Sequence, residues 1–142
     1  DRHLPAHPRA RLQAELLHSW VGQTNSTAAN FGGFYAQASW FLTGESRPYD
    51  RAKGTFDRVV PKRNFNFGKG GSGAWEIAGR FSHLDLNGGA IQGGRLNLLL
   101  AGVNWYLHSH VIWRFNYGFG QVTDHNPDGN LNIFQTRMEV DF

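Results

Sequence analysis

The chain has 142 residues, one domain by ordinary size rules, and a formal net charge of +3. Charged residues are 18%, aromatics 14%, and glycine occurs 18 times, a composition that points to an all-β chain with many turns. The absence of cysteine excludes thiolate metal sites, disulfides and cysteine nucleophiles, and the longest apolar run, around Leu98 to Val103, is far too short for a membrane helix of ~20 residues.

In chain order, Asp1 to Arg11 has no apolar core and is no signal peptide. Six segments then read as strands: Leu12–Val21, Phe31–Thr43, Ala74–Leu86, Arg95–Leu107, Val111–Val122 and Leu131–Phe142. Each is long for a globular strand and suits a tilted membrane strand. Period-two alternation carries the assignment. In the second segment Phe34, Ala36, Ala38, Trp40 and Leu42 oppose Tyr35, Gln37, Ser39 and Thr43. In the third, Trp75, Ile77 and Phe81 oppose Glu76, Arg80 and Ser82. The fourth has Leu99, Ala101, Val103, Trp105 and Leu107 on one face, and a mixed face with Leu98, Leu100, Asn104 and Tyr106. In the fifth, Val111, Trp113, Phe115, Tyr117 and Phe119 oppose Ile112, Arg114, Asn116, Gly118 and Gly120. In the last, Phe134, Thr136, Met138, Val140 and Phe142 oppose Gln135, Arg137, Glu139 and Asp141. The first segment alternates least clearly, with Glu15 and Ser19 against Leu16 and Trp20.

A soluble sandwich alternates too. Against it stand charged residues at mid-strand on the polar faces, where water must reach them, and large aromatics at the strand ends. Mean hydropathy is negative, at −0.46, but barrel strands average out to neutral, so this value does not exclude a membrane wall. The expected fold is therefore all-β: an antiparallel transmembrane β-barrel segment of about six meandering strands. Six strands cannot close, since small barrels need about eight. Other strands, of this protein or of other chains, are expected to complete it.

His108–His110 reads as a tight periplasmic turn; Asn87–Gly94 and Thr123–Asn130 read as longer outer loops. With that orientation Trp40, Trp75, Trp105, Trp113 and Phe142 all fall at one interface, as an aromatic girdle requires. Phe134, Met138, Val140 and Phe142 share one face of the last strand and form a candidate signal for the barrel-assembly machinery; an ordinary last strand ending in Phe is the plainer reading.

Between the second and third strands, residues 44–73 form a long basic insertion. Arg47, Arg51, Lys53, Arg58, Lys62, Arg63 and Lys69 stand against Glu45, Asp50 and Asp57, so its net charge is +4. It is either a solvated loop or an inward-folded collar that attracts anions, with Phe56, Phe65 and Phe67 as anchors against the wall. Arginine suits phosphate because its planar fork bonds bidentately, while lysine acts as a point charge. Strand charges on the polar faces are Glu15, Glu76, Arg80, Arg114, Arg137, Glu139 and Asp141. They read first as a cross-strand ion-pair network, with Arg80 and Arg114 the candidates to face a permeant ion.

Other chemistries are weaker. His108 with His110, and His3 with His7, lack a third ligand at metal-site spacing, so no metal or other cofactor is expected. Ser82 and His83 are neighbours but point to opposite faces of a strand, so no catalytic pair is expected and the chain does not read as an enzyme. Nucleic-acid binding by the basic insertion does not fit a barrel.

The stretches FLTGESRPYD and LAGVNWYL, with GAWEIAGRFSHLDL and a last strand ending in Phe, resemble the C-terminal part of the phosphate-selective porin O and P family, over roughly residues 31–142. The resemblance implies a bacterial outer-membrane location, a homotrimer of 16-stranded barrels in contact with membrane lipid, and conduction of small, phosphate-like anions. On that basis residues 1–142 are the C-terminal portion of one barrel domain; the candidate anion-pathway residues, read from their charge and position, are Arg47, Arg51, Lys53, Arg58, Lys62, Arg63, Arg80 and Arg114. The alternative is a structural or plugged barrel scaffold without selective transport.

Overall fold

The computed structural model describes residues 9–23, 26–50, 55–56, 58–124 and 127–142; Arg51, Lys53, His3 and His7 lie outside them, as do the side chains of residues 49–57, Phe56 included. Six long strands form one sheet: β1 (Ala10–Gln23), β2 (Ser26–Phe41), β5 (Ala74–Gly88), β6 (Ile91–His108), β7 (Val111–Thr123) and β8 (Gly129–Val140). The short strands β3 (Tyr49–Asp50) and β4 (Thr55–Phe56) pair with each other in the insertion. The long strands run in the order β1-β2-β5-β6-β7-β8, with every neighbouring pair antiparallel. This is an up-and-down wall, not a closed barrel: among the described residues β1 and β8 are its edges.

All six expected strands are present, but the turns differ from expectation at one rim. Asn87–Gly94 is not a loop. The β5–β6 ladder continues to Asn87↔Gln92 and Gly88↔Ile91, leaving only Gly89 and Ala90 as the turn. Gly89 takes a positive φ of 56°, which a two-residue hairpin favours. The Asn-Gly-Gly sequence looks like a loop because polar side chains replace the apolar alternation there. Those side chains instead serve the ladder. Asp85 Oδ1 accepts from Asn87 N at 2.9 Å across a bulge, and Asn87 Oδ1 accepts from Gly94 N at 2.9 Å. His108↔Val111 closes the expected tight turn at the other rim.

The apolar face is a band. In β6 it runs from Leu99 to Leu107, nine residues or about 27 Å along a strand. At a tilt of ~40° this covers about 20 Å of depth, near the ~25 Å apolar band of outer-membrane barrels. Beyond Leu99 the same face turns polar: His83 Nδ1 lies 2.7 Å from Asn97 Oδ1, and Tyr117 Oη donates to Asn132 Oδ1 at 2.7 Å. The strands therefore overhang the band at the hairpin rim. At the opposite rim Trp75, Trp105 and Trp113 are register partners across β5, β6 and β7, stacked at 4.9 and 6.4 Å.

The polar face is not uniform. Toward the Phe142 rim it carries Glu76, Asn104, Arg114 and Glu139, with Gln37 and Arg80 at mid-strand level with Leu100. Toward the hairpin rim Leu98 and Leu100 of β6 lie across from Gly120 and Gly118, beside Leu131 and Ile133 of β8. A side chain at Gly118 would come within 2.8 Å of Leu100 Cδ2, so the bare backbone makes room for the leucine. This is the physical meaning of the mixed face of β6: one end is polar and the other apolar.

Among the described residues the buried apolar cluster is small: Phe41, Val59, Ala74 and Tyr106, with Ile112 packed against it. It sits where the insertion docks on the polar face, at the Phe142 rim.

Candidate functional site

The insertion between β2 and β5 has two legs. In the first, residues 44–61, the described Glu45, Arg47, Arg58 and Val59 lie on the polar face. Glu45 is buried and ties the leg to its own entry: it accepts from Thr43 Oγ1 and from Lys62 N at 3.1 Å. Arg47 reaches Glu76 Oε2 at 3.1 Å and Tyr106 Oη at 2.5 Å. Glu76 is only 3% exposed, and it also accepts from Tyr106 Oη at 2.8 Å and Asn104 Nδ2 at 2.9 Å. A buried carboxylate requires this saturation, because an unpaired charge there is costly. Tyr106 is 2% exposed and packs on Phe41 at 5.8 Å, so it joins the apolar cluster to the polar one.

Two recesses flank this hub. One, of about 210 Å³, is lined by Arg11, Gln37, Ser39, Arg47, Arg80 and Asn104 around Glu76. Arg80 lies 3.9 Å over the Tyr35 ring and donates from Nε to Ser82 Oγ at 3.0 Å. It makes no ion pair with a described residue. Tyr35 is held in turn by Glu15, which accepts its hydroxyl at 2.7 Å, and by Gln13. Arg11, Arg47 and Arg80 thus line one recess with Glu76, whose carboxylate pairs with Arg47. The other recess, of about 410 Å³, is lined by Arg47, Arg58, His110, Arg114, Glu139 and Asp141. Its charge is compensated: Arg114 pairs with Glu139, which also lies 3.5 Å from Arg137, and Arg58 pairs with Asp141 and lies 2.9 Å from the His110 ring.

The second leg, residues 62–73, leaves the polar face. Lys62 Nζ donates to Gly44 O at 2.7 Å at the crossing. Phe65 N then donates to Leu107 O at 2.8 Å, and the Phe65 ring meets Trp105 edge-on at 5.0 Å on the apolar face. Arg47, Arg80 and Arg114 therefore lie on the polar face with Arg58, whereas Lys62 and Arg63 lie at and beyond the crossing and do not join them. Of the aromatic girdle, Trp75, Trp105 and Trp113 form one row; Trp40, paired with Ile77, lies one row further in, and Phe142 is fully exposed beyond β8. Phe134, Met138 and Val140 are exposed on the apolar face of the β8 edge.

Sequence reasoning missed Arg11, Tyr106 and Glu45. Arg11 shares the parity of Gln13 and Glu15 and pairs with Ser39, but β1 starts earlier than its alternation suggested. Tyr106 shares parity with Asn104, a signal hidden by Leu98 and Leu100. Glu45 stood in a run read only for its positive charge.

The family model described as phosphate-selective porin O and P matches residues 6–142. The chain belongs to this family. Porin O of Pseudomonas aeruginosa is 30% identical over 125 residues, which cover 78% of this chain and 26% of that protein. An uncharacterized protein of Caulobacter vibrioides is 34% identical over 135 residues, 91% of this chain and 27% of its own length. The chain thus spans about a quarter of the length of these relatives. The six-stranded sheet is accordingly a segment of a transmembrane β-barrel wall.

Proposed function

We propose that this wall is part of an outer-membrane porin that conducts small anions, phosphate-like solutes among them, and is not an enzyme. The polar face lines the lumen, and residues 1–142 belong to one barrel domain closed by strands outside this segment. The assembled unit is a homotrimer, and the barrel-assembly machinery reads the apolar face of β8 through Phe134, Met138 and Val140. The observation that carries the reading is Arg80, whose guanidinium lines the same recess as the Arg47–Glu76 pair and makes no ion pair with a described residue. Charges in a confined, water-filled site with low-dielectric walls focus their field and raise the local anion concentration. Arg80 supplies the planar fork that phosphate oxygens match.

The test is the reversal potential of the full-length protein in a planar bilayer under a potassium chloride gradient. Chloride should permeate in preference to potassium, and added phosphate should reduce the chloride current. Cation selectivity would end this reading.

One observation favours a second reading, a plugged scaffold: the first leg covers the polar face at one rim, anchored by Arg47, Val59 and Glu45. A channel silent in the intact protein and conducting only after removal of residues 48–60 would establish the plug.

A further inference from the structure

The second leg of the insertion is built to touch something outside the wall. Ser72 O accepts both girdle indoles, Trp75 Nε1 at 3.2 Å and Trp105 Nε1 at 2.9 Å. With Phe65 N on Leu107 O, these bonds fix residues 64–73 against the apolar face at the level of the tryptophan row. The tip is a tight turn closed by Asn66 N on Gly71 O at 3.1 Å, with positive φ at Gly68 and Gly70. A side chain at Gly71 would run into the Asn64 carbonyl, so the two strands of the turn approach as only glycine permits.

This frame holds Phe67 out. Its ring touches Phe65 at 4.7 Å, yet Phe67 is 89% exposed. Arg63 and Lys69 flank it, both exposed, and neither makes an ion pair with a described residue. An ordered turn presenting a bare phenylalanine between two cations, in line with an aromatic girdle, matches the headgroup layer of a bilayer. Aromatic rings partition to that depth, and basic residues there gain from anionic lipid phosphates.

We propose that residues 62–72 form an interfacial foot that binds anionic phospholipid on the leaflet at the Phe142 rim. Phe67 inserts beside Trp105, while Arg63 and Lys69 engage the headgroup phosphates. The proposal rests on the membrane-spanning reading of the wall. The apolar band beside the foot is continuous with it, and its cations complement an anionic surface.

The experiment places one spin label per sample in the full-length protein, at Phe67→Cys or at Ile77→Cys, which pairs with Val103 in the middle of the apolar band. The protein is reconstituted in phosphatidylethanolamine vesicles with and without phosphatidylglycerol. Collision with oxygen and with a water-soluble nickel chelate is then read. A label at 77 shielded from nickel establishes the spanning wall. At 67, nickel collision should be several-fold lower than for a free label in water, and lower still with phosphatidylglycerol. Arg63→Glu with Lys69→Glu should raise it several-fold. A shielded 77 with a water-exposed 67 overturns the foot alone. Dipolar broadening between labels at 67 would instead identify a second copy as the occupant and also overturn it. A water-exposed 77 overturns the spanning wall, and the foot with it.

Discussion

The two legs of the insertion have similar compositions and opposite fates. Residues 44–61 bring Arg47, Arg58 and Val59 onto the polar face, where each finds a partner: Glu76, Asp141 and the Phe41–Tyr106 cluster. Residues 62–73 bring Arg63, Phe65, Phe67 and Lys69 to the apolar face, where only Phe65 and Ser72 are engaged. A basic run interleaved with aromatics does not say by itself where it docks. The carboxylates and the tryptophan row of the wall decide, by offering a charge partner on one side and ring faces on the other.

The comparison breaks most severely if the first leg loses its hold. Arg47→Ala leaves Glu76 buried with only Tyr106 and Asn104 as donors. Breaking a fully buried pair costs ~3–5 kcal/mol. Arg47 is about one-third exposed, so roughly 2–3 kcal/mol is expected after screening. Urea unfolding in detergent measures it, and an unchanged midpoint would mean that the first leg does not dock through this pair.

A smaller loss is expected at the end of the second leg. Gly73 has φ +70°, and an added side chain would meet the Tyr106 carbonyl. Gly73→Ala should cost about 1–3 kcal/mol through backbone strain. Gly129→Ala, with open space around it, should cost far less. Equal effects in the same unfolding assay would contradict this geometry.

The most local effect sharpens the contrast. Trp105→Leu removes the stack with Trp75 and Trp113 and the edge contact with Phe65, aromatic pairs worth about 0.5–1.5 kcal/mol each. Amide exchange should accelerate at Phe65 and Asn66, beyond the crossing, and stay unchanged at Lys62, whose N–H is held at the crossing by Glu45 of the first leg. Faster exchange in both legs would mean that they move as one piece.

Much of this wall is legible in the sequence, because a half-buried strand writes its two faces as alternation. The six strands, the tight turn at His108–His110 and the row of Trp75, Trp105 and Trp113 follow from period two alone. Where the environment changes along a strand, alternation loses its meaning. Leu98 and Leu100 share the face of Asn104 and Tyr106, so β6 looks mixed until the glycines of β7 are seen opposite the leucines. Overhang beyond the apolar band hides too, since Asn87 and Gly88 look like loop residues while they extend the ladder. The site was legible as charge but not as pairing. Arg80 and Arg114 stand on equivalent faces, yet of the two only Arg114 makes an ion pair among the described residues, and that depends on cross-strand register.

Arg80 gives the most direct test of anion attraction by the polar face. Reversal potentials of the full-length protein with Arg80→Gln and Arg80→Lys should be compared at low and high potassium chloride. Arg80→Gln should lower chloride preference clearly at low salt and little near 1 M, where the Debye length is about 3 Å. Arg80→Lys should keep most of the chloride preference but weaken the block by phosphate, because lysine lacks the bidentate fork. Unchanged selectivity in Arg80→Gln at low salt would contradict the central claim that this recess draws anions into the pore.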